Sequence, residues 1–160
     1  MVHTSQLLID SAIYVGIVTV LLLGLVLRNP RFMLQDYPPG IRAEVPPKTR
    51  AEKRQSTVYG MPFLLALLVM PFVFAFRLAD RSFSGLFLHA FGVVWAFNLW
   101  DWLVLDWLVF CTITPRMFVI PGSEGHPAYK DYAFHFRGFL IGTFFSLVMA
   151  LLVATVVYFV

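Results

Sequence analysis

Four stretches of this chain, 7–27, 58–76, 82–110 and 139–160, are strongly apolar and contain no Lys or Arg. An α-helix rises about 1.5 Å per residue, so about twenty such residues cross the roughly 30 Å hydrocarbon layer of a bilayer. Backbone groups in lipid must be satisfied internally, which helices achieve. The expected fold is therefore an all-α integral membrane protein with four transmembrane helices over about 7–27, 58–76, 83–108 and 138–159, forming one domain over 1–160. Composition agrees. Apolar residues make up 59% and charged residues 13%, whereas soluble domains are nearer half and a quarter. The apolar excess is gathered into runs rather than spread as a soluble core would require.

The charged residues then give an orientation. Basic residues number none, seven, two, three and none across the five flanks of the spans. Lys and Arg accumulate in cytoplasmic loops, which predicts N-out/C-out topology, multi-pass in a cell inner or plasma membrane. Segment 28–57 becomes a basic cytoplasmic loop, and 111–137 a second loop that is cytoplasmic or partly re-entrant. The net charge of +3 lies beside apolar spans, so it reads as topology signal and contact with anionic lipid, not as a nucleic-acid footprint. The opening MVHTSQ lacks a basic n-region and no small-x-small cleavage site follows, so the first run is expected to be a retained helix. Cys111 is the single cysteine, which excludes an internal disulfide and a CxxC pair. His3, His89, His126 and His135 are scattered and form no desaturase-type histidine boxes.

Local signals refine the elements. Thr49-Arg50-Ala51-Glu52 has capping-box spacing, predicting a helix from near Arg50 that runs on into the second span. Pro62 and Pro71 are expected to bend it. Asp10 is expected at the outer interface, capping the first helix. Phe32, Met33 and Leu34 are expected to dip back into the interface, and so is the apolar ITPRMFVIPG after the third span.

The third span holds the functional interest. Asn98, Asp101 and Asp106 lie in it among Trp95, Trp100, Trp102 and Trp107. Ionisable groups at membrane depth are costly and mark functional sites by default. At 100° per residue Asn98 and Asp101 share a helix face, while Asp106 is rotated roughly 140° from Asp101 and is expected to face the following loop or another helix. If the helix enters lipid near Phe83, Asp101 lies close to the cytoplasmic boundary. The tryptophans suit an interfacial belt, as do Tyr129, Tyr132, Phe134 and Phe136 at the start of the fourth helix.

The loop after this span adds Glu124, His126, Lys130, Asp131 and His135. With Asn98, Asp101 and Asp106 they form the candidate polar site at the cytoplasmic interface. Pro127 suits a helix's first turn, so Asp131 and His135 would share a face. A histidine beside carboxylates can act as general base or proton relay. His126, Asp131 and His135 could also contribute to a divalent metal site for zinc, manganese or iron, although no HExxH-like spacing occurs. Plainer roles compete. Asp101 could pair with Arg116, Lys130 or Arg137, His135 could lie in the head groups, and His89 could make a helix–helix hydrogen bond.

Three readings follow. The first is a membrane-embedded enzyme or lipid-binding protein, which predicts that the loop over 122–135 is ordered and covers Asp101. The second is an accessory or assembly subunit of a larger membrane complex. The third is a small cation or proton transporter, for which four spans would require a homodimer or larger oligomer. The apolar outer half argues against a full pathway.

Overall fold

The computed structural model describes residues 4–160, so His3 lies outside it. The described chain is helical, and four of its helices are long and apolar enough to cross a membrane. They are α1 (Thr4–Arg28), α3 (Arg50–Phe76), a composite third helix (Phe83–Ile113) and α5 (Tyr132–Phe159). The short α2 (Pro39–Glu44) lies between α1 and α3. The first and fourth helices reach further into the polar flanks than their apolar runs, because polar residues add helical turns beyond the hydrocarbon segment.

α3 begins where its capping box predicts. The Thr49 side chain accepts from the Glu52 amide at 3.2 Å and Glu52 accepts from the Thr49 amide at 2.7 Å. The helix runs through Pro62 and Pro71 as one element. Glu52 also receives Arg31 at 2.6 Å, which ties the start of α3 to the turn that follows α1.

The long helices alternate in direction. At the far end, the start of α1, the end of α3 and the start of α4 (Phe83–Trp100) meet at Asp10. Asp10 is 3% exposed, receives Arg77 at 3.1 Å, and pairs with His89 Nε2 at 3.1 Å. The expectation of an interfacial helix cap at Asp10 is therefore corrected: the carboxylate ties three helices together. His89 makes the helix–helix bond considered from the sequence. Phe83 packs edge-on against Tyr158, bringing the end of α5 to the same place.

Within the bundle, small residues bring α4 and α5 close. Ala150, Val153, Ala154 and Val157 form a stripe against Leu86 and Ala90. Small side chains allow close backbone approach, which matters where lipid removes any hydrophobic drive between helices. Tyr14, Val18, Ala66, Phe74, Val93 and Phe97 form the next layer, joining α1, α3 and α4. The outward faces carry exposed residues such as Leu140, Ile141, Phe144 and Phe145.

The opposite end is closed by the two connections folded together. Leu34, Tyr37, Ile41 and Val45 of the first pack with Phe118, Ile120 and Tyr129 of the second, against Val26, Phe110 and Cys111. Tyr37 donates its hydroxyl to the Phe118 carbonyl at 2.9 Å across this core, and Tyr129 receives the Ile120 amide at 2.9 Å. Tyr129 is thus buried in this cover, not an interfacial anchor as the sequence suggested, while Tyr132 and Phe136 stay exposed.

Candidate functional site

The third helix changes character at Asp101. α4 is an ordinary α-helix to Trp100, and Asp101–Ile113 continues it as a π-helix. Its bonds join i to i+5, a wide geometry that is rare and common at functional sites. It places residues five apart over one another, so Asp101 and Asp106 fall on one face. This corrects the expectation drawn from α-helical rotation, which turned Asp106 away. The π segment ends at Thr114, whose amide donates to Val109 at 2.8 Å and whose backbone is left-handed at φ 50°. Lys130 closes the helix end by donating to the carbonyls of Cys111 and Thr112 and to the Thr114 hydroxyl. A cation there satisfies free carbonyls at the negative end of the helix dipole.

Between this segment and the cover lies a cavity of about 280 Å³. Leu22, Leu23, Val26, Phe63, Phe97, Leu105, Phe110 and Phe118 make its wall mainly apolar. Asp36, Asp101, Asp106 and His135 also line it, with no Lys or Arg. His135 Nδ1 lies 3.0 Å from Asp106 Oδ1, and the imidazole is 6% exposed. Its ring packs on Phe110 at 4.9 Å, with the Cys111 thiol close to it. The placement of His135 among lipid head groups is thereby corrected. Asp101 accepts no hydrogen bond and forms no ion pair among the described residues, so the expected pairing with Arg116, Lys130 or Arg137 is not formed.

Asp36 was not among the candidates. It comes from the first connection, in the 3-10 turn Pro30–Asp36. Desolvation by its surroundings pushes its carboxyl above the usual carboxylate range; Lys48 opposes the shift and Asp106 adds to it. One signal could have found it: Asp36 is an acid in a strongly basic loop, set directly between FMLQ and YPPG.

The remaining candidates have other roles. Asn98 donates to the Phe139 carbonyl and the Thr143 hydroxyl, both at 3.1 Å, clamping α4 to α5. Glu124 accepts the Gly122 amide at 2.9 Å and holds a turn. His126 caps the turn Pro127–Lys130 through the Ala128 amide at 3.0 Å, with Nε2 4.0 Å from Glu44. Asp131 caps α5 by accepting from Phe134 at 2.9 Å. Among the described residues no three His, Cys, Asp or Glu side chains gather into a metal-holding set. His126, Asp131 and His135 therefore do not make the ligand cluster considered from the sequence. The tryptophans do more than line an interface: Trp102 stacks on Phe139 at 4.4 Å, and Trp107 donates to the Tyr132 carbonyl.

The arrangement can do two things. Carboxyl oxygens accept hydrogen bonds in either protonation state, so the cavity suits a group that donates them beside an apolar chain. The Asp106–His135 pair can also hold and orient a protonatable imidazole. No family model, no curated protein and no solved structure matches this chain.

Proposed function

We propose that this small polytopic membrane protein binds a lipid-like amphiphile at the cytoplasmic end of its helix bundle. The apolar wall takes the chain of the ligand, and Asp36, Asp101, Asp106 and His135 take its polar part. One observation carries the reading: three carboxylates and a histidine from three separate segments converge on one mainly apolar cavity. Structural acids would be expected to have partners. Asp101 has none among the described residues, so its acceptor capacity is left for a ligand. The polar part of that ligand is a hydrogen-bond donor, a hydroxyl or an ammonium.

The Asp106–His135 contact favours an added chemical step. His135 Nδ1 faces Asp106, and Nε2 is buried with no hydrogen-bond partner among the described residues. A carboxylate-held imidazole can carry a proton to or from a bound group, which is the added step in the membrane-embedded enzyme reading.

The test is native mass spectrometry of the protein released from mild detergent, with identification of the lipids that stay bound. The wild type is expected to retain a stoichiometric amphiphile. Asp101→Asn should lower its occupancy by about tenfold, the scale of one lost charge-assisted hydrogen bond. Glu124→Gln, which alters only a turn, should leave occupancy unchanged. Identical lipid profiles in wild type and Asp101→Asn would sink the reading.

A further inference from the structure

The acid-lined cavity is one of three neighbouring spaces. On the outer side of the turn Pro30–Asp36 lies an open groove of about 480 Å³, lined in part by Arg42, Lys48, Lys53, Ser56 and Thr57. It contains no carboxylate. A middle space of about 400 Å³ shares Gln35, Ser56 and Thr57 with this groove. The middle space in turn shares Met33, Asp36 and Phe63 with the acid-lined cavity. The spaces are therefore neighbours that share walls, with three cations on the groove and three carboxylates on the cavity.

We propose that the basic groove binds the phosphate of a phospholipid whose donor-bearing polar part reaches the acid-lined cavity. This rests on the reading of that cavity as an amphiphile site and names the ligand class. Three features of the groove point to phosphate. Arg42 and Lys53 have no side-chain hydrogen bond or ion pair among the described residues, so both guanidinium and ammonium are uncommitted. Lys48 already donates to the Phe32 carbonyl and Gln35 at 2.5 and 2.6 Å, which fixes its ammonium at the groove wall. An arginine fork beside lysine point charges is a donor set matched to phosphate oxygens. The groove also lies at the right depth. On α3 it spans Lys53 to Thr57, immediately before the uncharged run from Val58, which is where a spanning helix meets lipid head groups.

The experiment compares phosphatidylethanolamine with diacylglycerol of the same acyl chains. The two differ by the phosphate-containing head, and both carry a donor. Each is titrated onto delipidated wild-type protein and read by native mass spectrometry. In the Arg42→Gln/Lys53→Gln variant, phosphatidylethanolamine binding should weaken at least tenfold while diacylglycerol binding is unchanged. An Arg116→Gln control, exposed and outside the groove, should bind both as wild type does. Equal phosphatidylethanolamine binding by the double variant and wild type overturns the proposal, as does an equal loss in the control. Strong competition by inorganic phosphate at low millimolar concentration would make the groove a free-phosphate site and overturn the lipid assignment. Asp101→Asn separates the two readings. Diacylglycerol binding unaffected by Asp101→Asn sinks the cavity reading, whereas loss confined to the groove variants concerns the phosphate alone.

Discussion

Asp36 stands between opposite fields: Lys48 and Arg42 on one side, Asp106 on the other. Desolvation prevails, and its carboxyl titrates above the ordinary range. The sign of the linkage follows. Well below the ordinary value both folded and unfolded chains are protonated. As pH rises the unfolded chain ionises first, so folded stability falls until the folded carboxyl has also ionised. Asp36→Asn removes that loss. Its unfolding temperature in detergent should therefore gain on wild type as pH rises from about 4, with no gain at the acid end, and the gain should level off once the folded carboxyl has ionised. A gain that grows toward acid would mean that the carboxylate is stabilised in the fold. Gly142 shows a second residue-scale constraint. A Cβ there would lie 2.1 Å from Asn98 Oδ1, and Asn98 is held by its bonds to Phe139 and Thr143. Gly142→Ala should cost about 1–3 kcal/mol, the range for overpacking. Gly138→Ala, with nothing within 4 Å, should cost no such amount. Thermal unfolding of both variants in the same detergent makes the comparison.

The π-helical segment decides which acids meet. Its end depends on Lys130, whose ammonium holds two carbonyls and the Thr114 hydroxyl. Lys130→Met keeps most of the side-chain volume and removes the donor. It should lower stability by about 1–2 kcal/mol, as for a charged hydrogen bond at a helix end. Its protease sensitivity should rise around residues 112–116 before any other region. Uniform sensitivity along the chain would mean that Lys130 acts on the whole fold. This element also marks the limit of what the sequence makes legible. The capping box at Thr49 and Glu52 is local, three residues apart, so it is readable from letters alone. The four apolar runs are readable for the same reason: length and composition suffice. Nothing in DWLVLDWLVFCTI distinguishes i+5 from i+4 bonding, so the shared face of Asp101 and Asp106 is hidden in it. The cover is hidden differently. Tyr37 bonds to Phe118 across eighty-one positions, and Asp36 enters the site only because that pairing folds the first connection over the helix ends. Asp101, Asp106 and His135 were legible as costly polar groups near apolar spans. Their separation from Glu124, His126 and Asp131 depended on which of them cap local turns.

At the scale of the whole molecule the two ends of the bundle differ in kind. One end is closed by both connections folded into a cover with its own core, above the acid-lined cavity. The other is fastened by the buried Asp10 with Arg77 and His89. If the four apolar helices span a membrane, these ends face different compartments, and the cavity opens toward only one. The basic residues choose which. Ten of the twelve Lys and Arg lie in the two connections of the covered end or at the helix ends that join them, and Arg77 and Arg81 alone mark the other. From the positive-inside rule we propose that the cover faces the cytoplasm. The buried Cys111 can be replaced by Ala to give a background without thiols. Single cysteines at the exposed positions Ser84, Arg54 and Glu124 then report each side. In intact cells a membrane-impermeant maleimide should label Ser84→Cys, and should label Arg54→Cys and Glu124→Cys only after permeabilisation. The reverse pattern would turn the acid-lined cavity toward the outside, where its ligand would have to come from the outer leaflet. Labelling of Arg54→Cys and Glu124→Cys on opposite sides would separate two segments that the shared core of Tyr37, Phe118 and Tyr129 holds together, and would dismantle the cavity with them.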